Sequence, residues 1–356
     1  MGLTDFATNM ALAGNVQIIT SSNSLDLVKL SQNSKIQLSH VKSLTSSNSN
    51  IFMRLLETFY FSIFVILDLC KTKPKIVYVT SNPPIIIPFL VYIFCSLCKI
   101  KYIYHVQDIH PEATNIILKL PRLVIKFFKY IDTLTLKNAD LVITLNQNMK
   151  NTLLERAPAI RITLLDNPAV KLNLEETRLC KINGAIFCGN AGRLQHMEVL
   201  LDAIDTFLAE DTGDFVFAFV GRGIYSDRLA LMAKKHTRFR YYGYVSATEA
   251  LRITSLYKWA LLPIFGEVLK YANPSKLPTY IAAGCQVISI VSKTSSLANI
   301  IKTHNLGFNL EPTVNDLIEG FRKLSQCEVN FNGYQEFKIS SASDFGTRLT
   351  TIANSI

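Results

Sequence analysis

The sequence predicts an α/β protein of two domains, each built on a parallel sheet that is wound with helices. Short apolar runs alternate with segments of helical periodicity in both halves of the chain, which is the pattern of such sheets. At 356 residues the chain is long for one domain and suits two, each able to bury its own core.

The first half opens with a predicted helix, Leu3 to Leu12, which leads directly into an apolar run. Because no strand precedes this helix, we expect the usual first strand and its glycine-rich turn to be missing. Either the first domain is unusually cut or the true start of the chain lies upstream. The predicted strands of this half are Val16–Ile19, Ile76–Thr80, Tyr102–His105 and Leu141–Thr144.

The second half continues the alternation and ends in an amphipathic segment. We place the domain boundary in the turn between Leu164 and Lys171, which gives domains at 1–166 and 167–340. The last segment, 341–356, is expected to pack back on the first domain. The predicted strands of this half are Arg161–Leu165, Ala185–Cys188, Phe215–Val220, Arg240–Tyr242, Ala260–Pro263 and Gln286–Ile290.

The composition predicts a basic surface that faces an acidic partner. The formal net charge is +10, hydrophobic residues make up 49% of the chain, and the mean hydropathy of +0.23 is high for a soluble protein. A membrane surface or a phosphate group fits best, with a merely solvated basic surface as the alternative. Nucleic acid is not expected, because the lysines are scattered and no basic motif interleaved with aromatic residues appears.

Three segments predict contact with a membrane surface rather than a span. Phe59–Leu69 and Pro83–Cys98 are apolar but shorter than the roughly 20 residues that a spanning helix needs. Leu120–Lys137 has a basic and an apolar face that suit an anionic bilayer, with an ordinary surface helix as the alternative. The basic face carries Arg122, Lys126 and Lys129, and the apolar face carries Leu123, Phe127, Tyr130 and Leu134.

Seven cysteines without regular spacing predict reduced, buried thiols. Cys95 and Cys98 form a CxxC pair inside an apolar run, but no second pair completes a zinc site, so we expect packing there rather than metal binding. The cysteines and the apolar segments together predict a cytoplasmic protein that lies on the inner face of the plasma membrane.

The stretch Tyr271–Gly284 is the most informative of the chain. Its pattern predicts a break at Pro274, a helix that opens at Ser275 and a stop at Gly284. Exposed N–H groups and the helix dipole favour an anion at such a start, and Lys276 adds a full charge, so we interpret it as a diphosphate site. The alternative is that proline with serine and glycine are simply common helix boundaries.

Two glycine turns follow strands of the same predicted sheet. Gly189 and Asn190 begin the first turn, which Arg193 follows, and Gly221 and Gly223 form the second. Each alone is compatible with a plain turn, but together with the helix start they predict three turns that face one ligand. The third glycine and the downstream acid of a dinucleotide fingerprint are missing, so NAD is not favoured.

Acidic residues mark the exit of a strand in the first domain. Asp108, His110 and Glu112 follow Tyr102–His105, and catalytic groups are expected at the carboxyl ends of parallel strands. The loop Thr80–Pro84 is expected to face the same crevice. Helix capping is the alternative role for the acidic residues.

Together these motifs resemble glycosyltransferase family 4, and within it the bacterial surface-polysaccharide enzymes that include L-fucosamine transferases. The resemblance covers nearly the whole chain from Leu3 and implies the GT-B fold, two Rossmann-like domains facing a cleft. The motifs that carry it are TSNPP at 80–84, QDIHPE at 107–112, CGNAGRLQ at 188–195, VGRG at 220–223, PSK at 274–276 and AAG at 282–284.

The resemblance implies a retaining glycosyltransferase that moves an N-acetylated deoxy sugar such as L-FucNAc to a polyprenyl-diphosphate-linked glycan in O-antigen or capsule synthesis. We expect a UDP-linked rather than a GDP-linked donor and no metal, with Asp108 and Glu112 orienting or deprotonating the acceptor hydroxyl. The donor-binding residues implied are Gly189, Asn190, Arg193, Gly221, Gly223, Ser275, Lys276 and Thr279.

The sequence departs from the family where many members carry paired glutamates eight residues apart. Tyr271 and Thr279 occupy these positions, and Glu267 is not a match, because its partner would be Ser275. Two other interpretations therefore stay open. One is a nucleotide-sugar 2-epimerase of the same build, and the other is a catalytically inactive membrane-associated scaffold.

Overall fold

The computed structural model describes residues 2–21, 30, 32–43, 51–167, 181–192, 194–327 and 342–356. The chain divides into two compact units. The first comprises Met1–Pro168, Lys270–Asn273 and Ser340–Ile356, and the second comprises Ala169–Leu269 and Pro274–Ile339.

The first unit alternates strands and helices along the chain. Its strands are β1 (Val16–Thr20), β2 (Ile36–His40), β3 (Ile76–Thr80), β4 (Lys101–Val106), β5 (Leu141–Thr144) and β6 (Ile162–Leu164). Its helices are α1 (Gly2–Ala13), α2 (Ile51–Thr72), α3 (Ile86–Cys98), α4 (Glu112–Leu118), α5 (Arg122–Asn138), α6 (Gln147–Arg156) and, near the end of the chain, α13 (Ala342–Asn354).

The second unit repeats this alternation. Its strands are β7 (Ile182–Cys188), β8 (Val216–Val220), β9 (Phe239–Gly243), β10 (Tyr257–Pro263), β11 (Gln286–Ile290) and β12 (Gly307–Leu310). Its helices are α7 (Met197–Glu210), α8 (Ser226–Lys235), α9 (Ala247–Ser255), a 3-10 helix (Gly266–Lys270) that runs into the first unit's segment, α10 (Lys276–Ala282), α11 (Ser296–Thr303) and α12 (Val314–Gln326).

A four-stranded parallel sheet with the order β3-β4-β5-β6 forms the centre of the first unit, and β1 pairs with β2 separately. Arg161–Leu165, grouped above with the strands of the second half but lying inside the predicted 1–166 domain, contributes its strand to the first sheet. Ile162–Leu164 pairs in register with Val142–Thr144, because β6 forms the edge of the first sheet before the chain turns away.

A six-stranded parallel sheet with the order β12-β11-β10-β7-β8-β9 forms the centre of the second unit. Strand β10 lies inside this sheet, and its Trp259, the only tryptophan of the chain, is fully buried with its ring 5.6 Å from that of Phe308. Edge-to-face contacts join Phe207, Phe217 and Phe321 at centroid distances of 4.9–5.9 Å. Each such pair contributes about 0.5–1.5 kcal/mol of stability in addition to the free energy of burying the rings. These contacts therefore hold α7 and α12 on the sheet.

The helix α13 packs on the sheet of the first unit and on α1. Phe345 and Leu349 are buried against Ile103 of β4 and its neighbours. The ring of Phe345 also stacks on that of His105, at a centroid distance of 6.4 Å. The two ends of the chain are therefore held by one apolar layer of the first unit.

The predicted fold class is confirmed, since both sheets are parallel and wound with helices. Two strands were not predicted, Ile36–His40 and Gly307–Leu310, because both are partly exposed and interrupted by polar residues or glycine. The prediction of buried thiols is right for Cys95 and Cys285 and wrong for Cys70 and Cys98, which are exposed. Cys188 and Cys327 are half-buried, and Cys180 lies outside the described residues. Among the described helices, none has the length and apolar character needed to cross a bilayer.

Candidate functional site

Three loops lie side by side at the carboxyl ends of the strands in the second unit. The backbone N–H of Gly189 donates to the carbonyl of Val220 at 2.8 Å, and that of Ala191 donates to Arg222 at 2.9 Å. The N–H of Gly221 donates in turn to the carbonyl of Gly243 at 2.7 Å. The loops after β7, β8 and β9 thus form one hydrogen-bonded layer.

Close contact between these loops explains their glycines. A Cβ on Gly221 would lie 2.1 Å from the carbonyl oxygen of Gly189, and one on Gly223 would lie 2.1 Å from that of Ala191. Gly221 also has φ +122°, a conformation that other residues rarely adopt. Packing of loop on loop is therefore sufficient to require Gly221 and Gly223, whether or not a ligand approaches them.

Lys276 begins helix α10, and its side chain lies against the first of these loops. A Cβ on Gly189 would meet its Cε at 2.5 Å, and its ammonium lies 4.1 Å from the centroid of the Phe187 ring. Burial lowers the pKa of Lys276 to about 8. Among the described residues no carboxylate forms an ion pair with it, so this half-buried cation is available to an anion.

Contacts in the C-terminal half of helix α10 hold it against the sheet. The hydroxyl of Tyr280 accepts from the N–H of Cys188 at 3.0 Å and donates to the carbonyl of the same residue at 3.2 Å. The ammonium of Lys181 donates to the carbonyls of Ala283 and Gly284 at 3.2 and 2.6 Å, where the helix ends. These contacts fix Lys276 relative to the end of β7.

The other predicted donor-binding residues have simpler surroundings. Ser275 is exposed at the N-cap of α10, and its side chain makes no capping hydrogen bond. Asn190 is exposed in the first loop, and Thr279 is half-buried one turn along α10 from Ser275. Arg193 lies outside the described residues.

Two aromatic side chains at this edge were not predicted as part of the site. The rings of His196 and Phe265 lie 4.1 Å apart, and the N–H of Phe265 donates to the carbonyl of Leu194 at 3.2 Å. Burial lowers the pKa of His196. The sequence signal that could have identified His196 is its position shortly after the glycine turn. That position is as typical of a helix start as of a ligand contact.

In the first unit, Asp108 follows β4, and its backbone is fixed by a neighbouring loop. The Ser81 hydroxyl accepts from the N–H groups of Gln107 and Asp108, at 3.0 and 3.2 Å. The N–H of Ile109 donates to the carbonyl of Tyr271 at 2.7 Å. Asp108 retains a large accessible area, but desolvation by the protein atoms around its carboxyl raises the pKa of that group.

Glu112 is bound in an ion-pair cluster. Its carboxylate lies 3.0 Å from the ammonium of Lys129 and 3.3 Å from the guanidinium of Arg156. Arg156 also pairs with Asp132 at 2.7 Å, and the hydroxyl of Tyr104 donates to Asp132 at 2.9 Å. Burial raises the pKa of Asp132 to about 6. Among the described residues, these ion pairs hold Glu112 but do not include Asp108.

His110 completes the predicted acidic segment but is neutral at physiological pH. Burial lowers the pKa of its imidazole to about 4, although the nearby Glu112 opposes this shift. Its Nδ1 lies 2.8 Å from the hydroxyl of Thr114, so the ring is anchored to the following helix. Within the described ranges, no group of three or more His, Cys, Asp or Glu side chains is placed to hold a metal ion.

Tyr271 and Thr279, which stand where many family members carry glutamates, lie in different units. Tyr271 is half-buried and packs on the apolar core of the first unit. Glu267 is exposed in the 3-10 helix. Tyr271 thus packs on an apolar core, Thr279 lies in helix α10, and Glu267 faces solvent.

No protein-family model matches the chain, and no curated protein matches it in sequence. Solved structures resemble its fold over nearly the whole length. HepE of Anabaena, in complex with UDP, is 12% identical with a TM-score of 0.62, and the match covers 100% of this chain and 95% of HepE.

Two further similar structures are the lipopolysaccharide outer core galactosyltransferase WaaB and WaaG, a glycosyltransferase involved in lipopolysaccharide biosynthesis. WaaB is 14% identical with a TM-score of 0.62, covering 99% of this chain and 95% of WaaB. WaaG is 12% identical with a TM-score of 0.60, covering 100% of this chain and 91% of WaaG. The chain therefore has the GT-B fold of two Rossmann-like domains.

Proposed function

We propose that this chain is a glycosyltransferase that uses a nucleotide-sugar donor, with UDP rather than GDP as its nucleotide. The observation that carries the proposal is Lys276, a half-buried cation that starts a helix beside the Gly189 loop and has no ion-pair partner among the described carboxylates. A diphosphate would supply the charge that this lysine lacks. The similar HepE has been solved with UDP and with UDP-glucose.

The donor would be held without a metal ion. Lys276 and the N–H groups at the start of α10 would neutralise the two phosphates as the bond to the sugar breaks and UDP leaves. Gly189 lies against Lys276, and Asn190 is the next residue of the same loop. Ser275 is the N-cap of α10, and Thr279 lies one turn along this helix. Arg193 remains part of the proposal on the sequence motif alone.

The acceptor would be activated in the first unit. As the acceptor oxygen bonds to the anomeric carbon, its proton would pass to the carboxylate of Asp108, whose raised pKa makes it a stronger base. Glu112, which pairs with Lys129 and Arg156, would position the loop. Retention at the anomeric carbon and transfer of a sugar such as L-FucNAc rest on the resemblance to family 4.

The acceptor we propose is a polyprenyl-diphosphate-linked glycan of a bacterial surface polysaccharide such as O-antigen, on the inner face of the plasma membrane. Helix α5 supports contact with an anionic bilayer, because Leu123, Phe127 and Tyr130 are 80%, 60% and 63% exposed. Arg122 and Lys126 are exposed on the same helix. The apolar stripe of α5 therefore does not face the core, as the ordinary surface helix would require.

Calorimetric binding of UDP and of GDP to the purified chain, without added metal, tests the donor site. We expect UDP to bind, and Lys276→Ala to weaken it by about 10- to 100-fold, because a hydrogen bond to a charged group contributes roughly 1.5–3 kcal/mol. Lys234→Ala, an exposed lysine on α8, is the matched control and should leave the affinity unchanged. Absence of binding by either nucleotide would contradict the proposal and favour an inactive scaffold.

A further inference from the structure

Helices α2 and α3 of the first unit expose apolar side chains next to each other. On α2, Phe59, Ile63 and Leu67 are 66%, 47% and 55% exposed and follow at intervals of four residues, so they form one stripe. On α3, which contains no charged residue, Ile93 and Leu97 are exposed at the same interval. A groove of about 600 Å³ lies between the helices, lined by apolar side chains of both and one serine. Contiguous apolar surface of this kind marks an interaction site.

Lysines lie where these two helices end. Lys71 follows Leu67 by four residues and therefore continues the stripe of α2 by one turn. Lys73 and Lys75 come next in the turn that enters β3, and Lys99 lies in the turn that enters β4. Because β3 and β4 pair from their first residues onward, these two segments, 71–75 and 99–101, are neighbours. We call them the lysine turns.

The lysine turns carry a net positive charge. The lysines at 71, 73, 75 and 99 are exposed, and no carboxylate among the described residues forms an ion pair with them. The acidic residues of α2 have partners in or near β2, since Ser43 donates to Glu57 and Ser39 donates to Asp68. Asp140 lies at the same edge and accepts from the backbone of β4. Four lysines against this one carboxylate leave the edge basic.

An apolar surface that ends in lysines is complementary to an anionic bilayer. Apolar side chains enter the boundary of the acyl region, while the long stems of lysines let their ammonium groups reach the lipid phosphates. A second copy of the chain is a poorer partner, because it carries the same lysines and a net charge of +10, so contact would bring like charges together. Nucleic acid would pair with the lysines but would leave the apolar stripe in water.

We propose that the face formed by α2, α3 and the lysine turns lies in the headgroup layer of an anionic membrane, with acyl chains in the groove. Helix α5, whose exposed apolar residues are described above, contacts α3 and extends this face. The inference rests on the proposed function only in naming the same bilayer as the partner. It assigns α2, α3 and the lysine turns a role of their own, which holds whether or not the chain transfers a sugar.

Cosedimentation with vesicles of phosphatidylglycerol and phosphatidylcholine tests this face. The apolar variant combines Ile63→Ser with Leu67→Ser, and the charge variant combines Lys71→Gln, Lys73→Gln and Lys99→Gln. We expect each variant to bind about tenfold more weakly than the parent chain, because apolar burial is lost in the first and attraction to the headgroups in the second. Vesicles of phosphatidylcholine alone should bind the parent chain and the charge variant equally weakly.

Matched controls lie at exposed positions of the second unit. Leu231→Ser is the control for the apolar variant. Lys234→Gln with Lys302→Gln and Lys323→Gln removes the same net charge as the charge variant. Both controls should bind the mixed vesicles within about twofold of the parent chain. A loss as large as in the test variants would mean that net charge or general apolar exposure, rather than this face, determines binding.

Fluorescence quenching by brominated lipids tests whether α2 enters the acyl region. The parent chain has one tryptophan, Trp259, which is fully buried in the second unit and should not be quenched. Phe59→Trp places a second indole on the stripe of α2, and we expect its emission to be quenched by brominated vesicles. Unquenched emission from a vesicle-bound Phe59→Trp protein would overturn the inference.

Two further outcomes would also contradict the proposed face. One is equal vesicle binding by the parent chain and both test variants. The other is a dimer in sedimentation that Ile63→Ser with Leu67→Ser converts to a monomer, since the face would then join two copies. UDP calorimetry separates this inference from the transferase function. Vesicle binding that depends on the face, in a chain that does not bind UDP, would support the membrane face and contradict the transferase function.

Discussion

The carboxyl edges of the two sheets are built in different ways. In the second unit, backbone hydrogen bonds join three loops, and a single cation, Lys276, lies against them without a carboxylate partner among the described residues. In the first unit, side chains dominate, with Asp108 next to a cluster in which Arg156 joins Glu112 and Asp132. One edge therefore presents a half-buried cation, and the other presents an exposed carboxylate followed by an ion-pair cluster.

Because one edge is built from backbone contacts and the other from charged side chains, we expect them to respond to different kinds of substitution. The edge of the first unit depends on charges, so removing one ion leaves another without its partner. The edge of the second unit depends on close backbone contact, so adding a single methyl group is enough to disturb it. Lys276 contacts the Phe187 ring but no carboxylate among the described residues, so its substitution should leave no charged partner behind.

The largest effect should come from Asp108→Asn, which removes the proposed base but preserves its shape. We expect the transfer rate to fall by about 10²- to 10⁴-fold, the usual contribution of general-base catalysis. UDP affinity should stay within about twofold of the parent chain, because Asp108 belongs to the first unit's edge. Rate measurements with a saturating donor, together with UDP calorimetry, check this. Full activity in Asp108→Asn would exclude the residue as the base.

Arg156→Met should destabilise the first unit through the buried Asp132. The side chains of Arg156 and Asp132 are 4% and 3% exposed, so removing the cation leaves a buried carboxylate and should cost about 3–5 kcal/mol at pH 7. Urea unfolding measures this loss.

The pH dependence of the Arg156→Met effect has a defined sign. In the parent chain, the pKa of Asp132 in the folded state is raised from its ordinary 3.8 to about 6. The folded state therefore binds this proton more tightly than the unfolded state, which stabilises the fold at low pH. This stabilisation is lost as pH rises through 6. We therefore expect a smaller loss at pH 5 than at pH 7. Combining Arg156→Met with Asp132→Asn should restore most of the stability. A loss independent of pH would contradict the charge explanation.

Gly221→Ala should disturb the second edge through the backbone. The new Cβ would lie 2.1 Å from the carbonyl oxygen of Gly189 at φ +122°, and we expect the free energy of unfolding to fall by about 3 kcal/mol. Gly243→Ala is the matched control, since its φ is also positive but nothing lies within 4 Å of the added atom. That control should cost only about 1 kcal/mol. Equal losses in both variants would show that loop contact is not the cause.

The smallest effect concerns the pH dependence of UDP affinity. Because the pKa of Lys276 is about 8, its positive charge is present below that pH and is lost as pH rises through it. We expect UDP affinity to fall about tenfold between pH 7 and pH 9, following proton linkage. Lys276→Met should bind more weakly but show a flat profile over this range. A parent profile as flat as that of the variant would mean that Lys276 does not contact the phosphates.

Much of the fold follows from local patterns. Ile76–Thr80, Leu141–Thr144 and Gln286–Ile290 are strands with the predicted bounds, because apolar and β-branched residues dominate each run. Ile36–His40 and Gly307–Leu310 were missed because half-exposed strands carry polar residues that local patterns assign to loops.

The environments of the site residues depend on contacts between distant parts of the chain. A lysine at a helix start is visible in the sequence, but the burial of Lys276 against Phe187 is not. Likewise, nothing near Glu112 in the sequence indicates that Arg156 will pair with it. The turn glycines were predicted as ligand contacts, whereas the structure shows that loop packing alone already requires Gly221.

The burial of Trp259 has a practical consequence for experiments on this chain. As the only tryptophan, fully enclosed in the sheet of the second unit, it should emit at short wavelength in the folded state and shift to the red when that unit opens. The first unit contains tyrosines such as Tyr102 and Tyr104 but no tryptophan, so it contributes nothing to the tryptophan emission. Fluorescence excited at the red edge of the indole band therefore reports the second unit alone, and comparing it with circular dichroism reveals whether the two units melt together or in sequence.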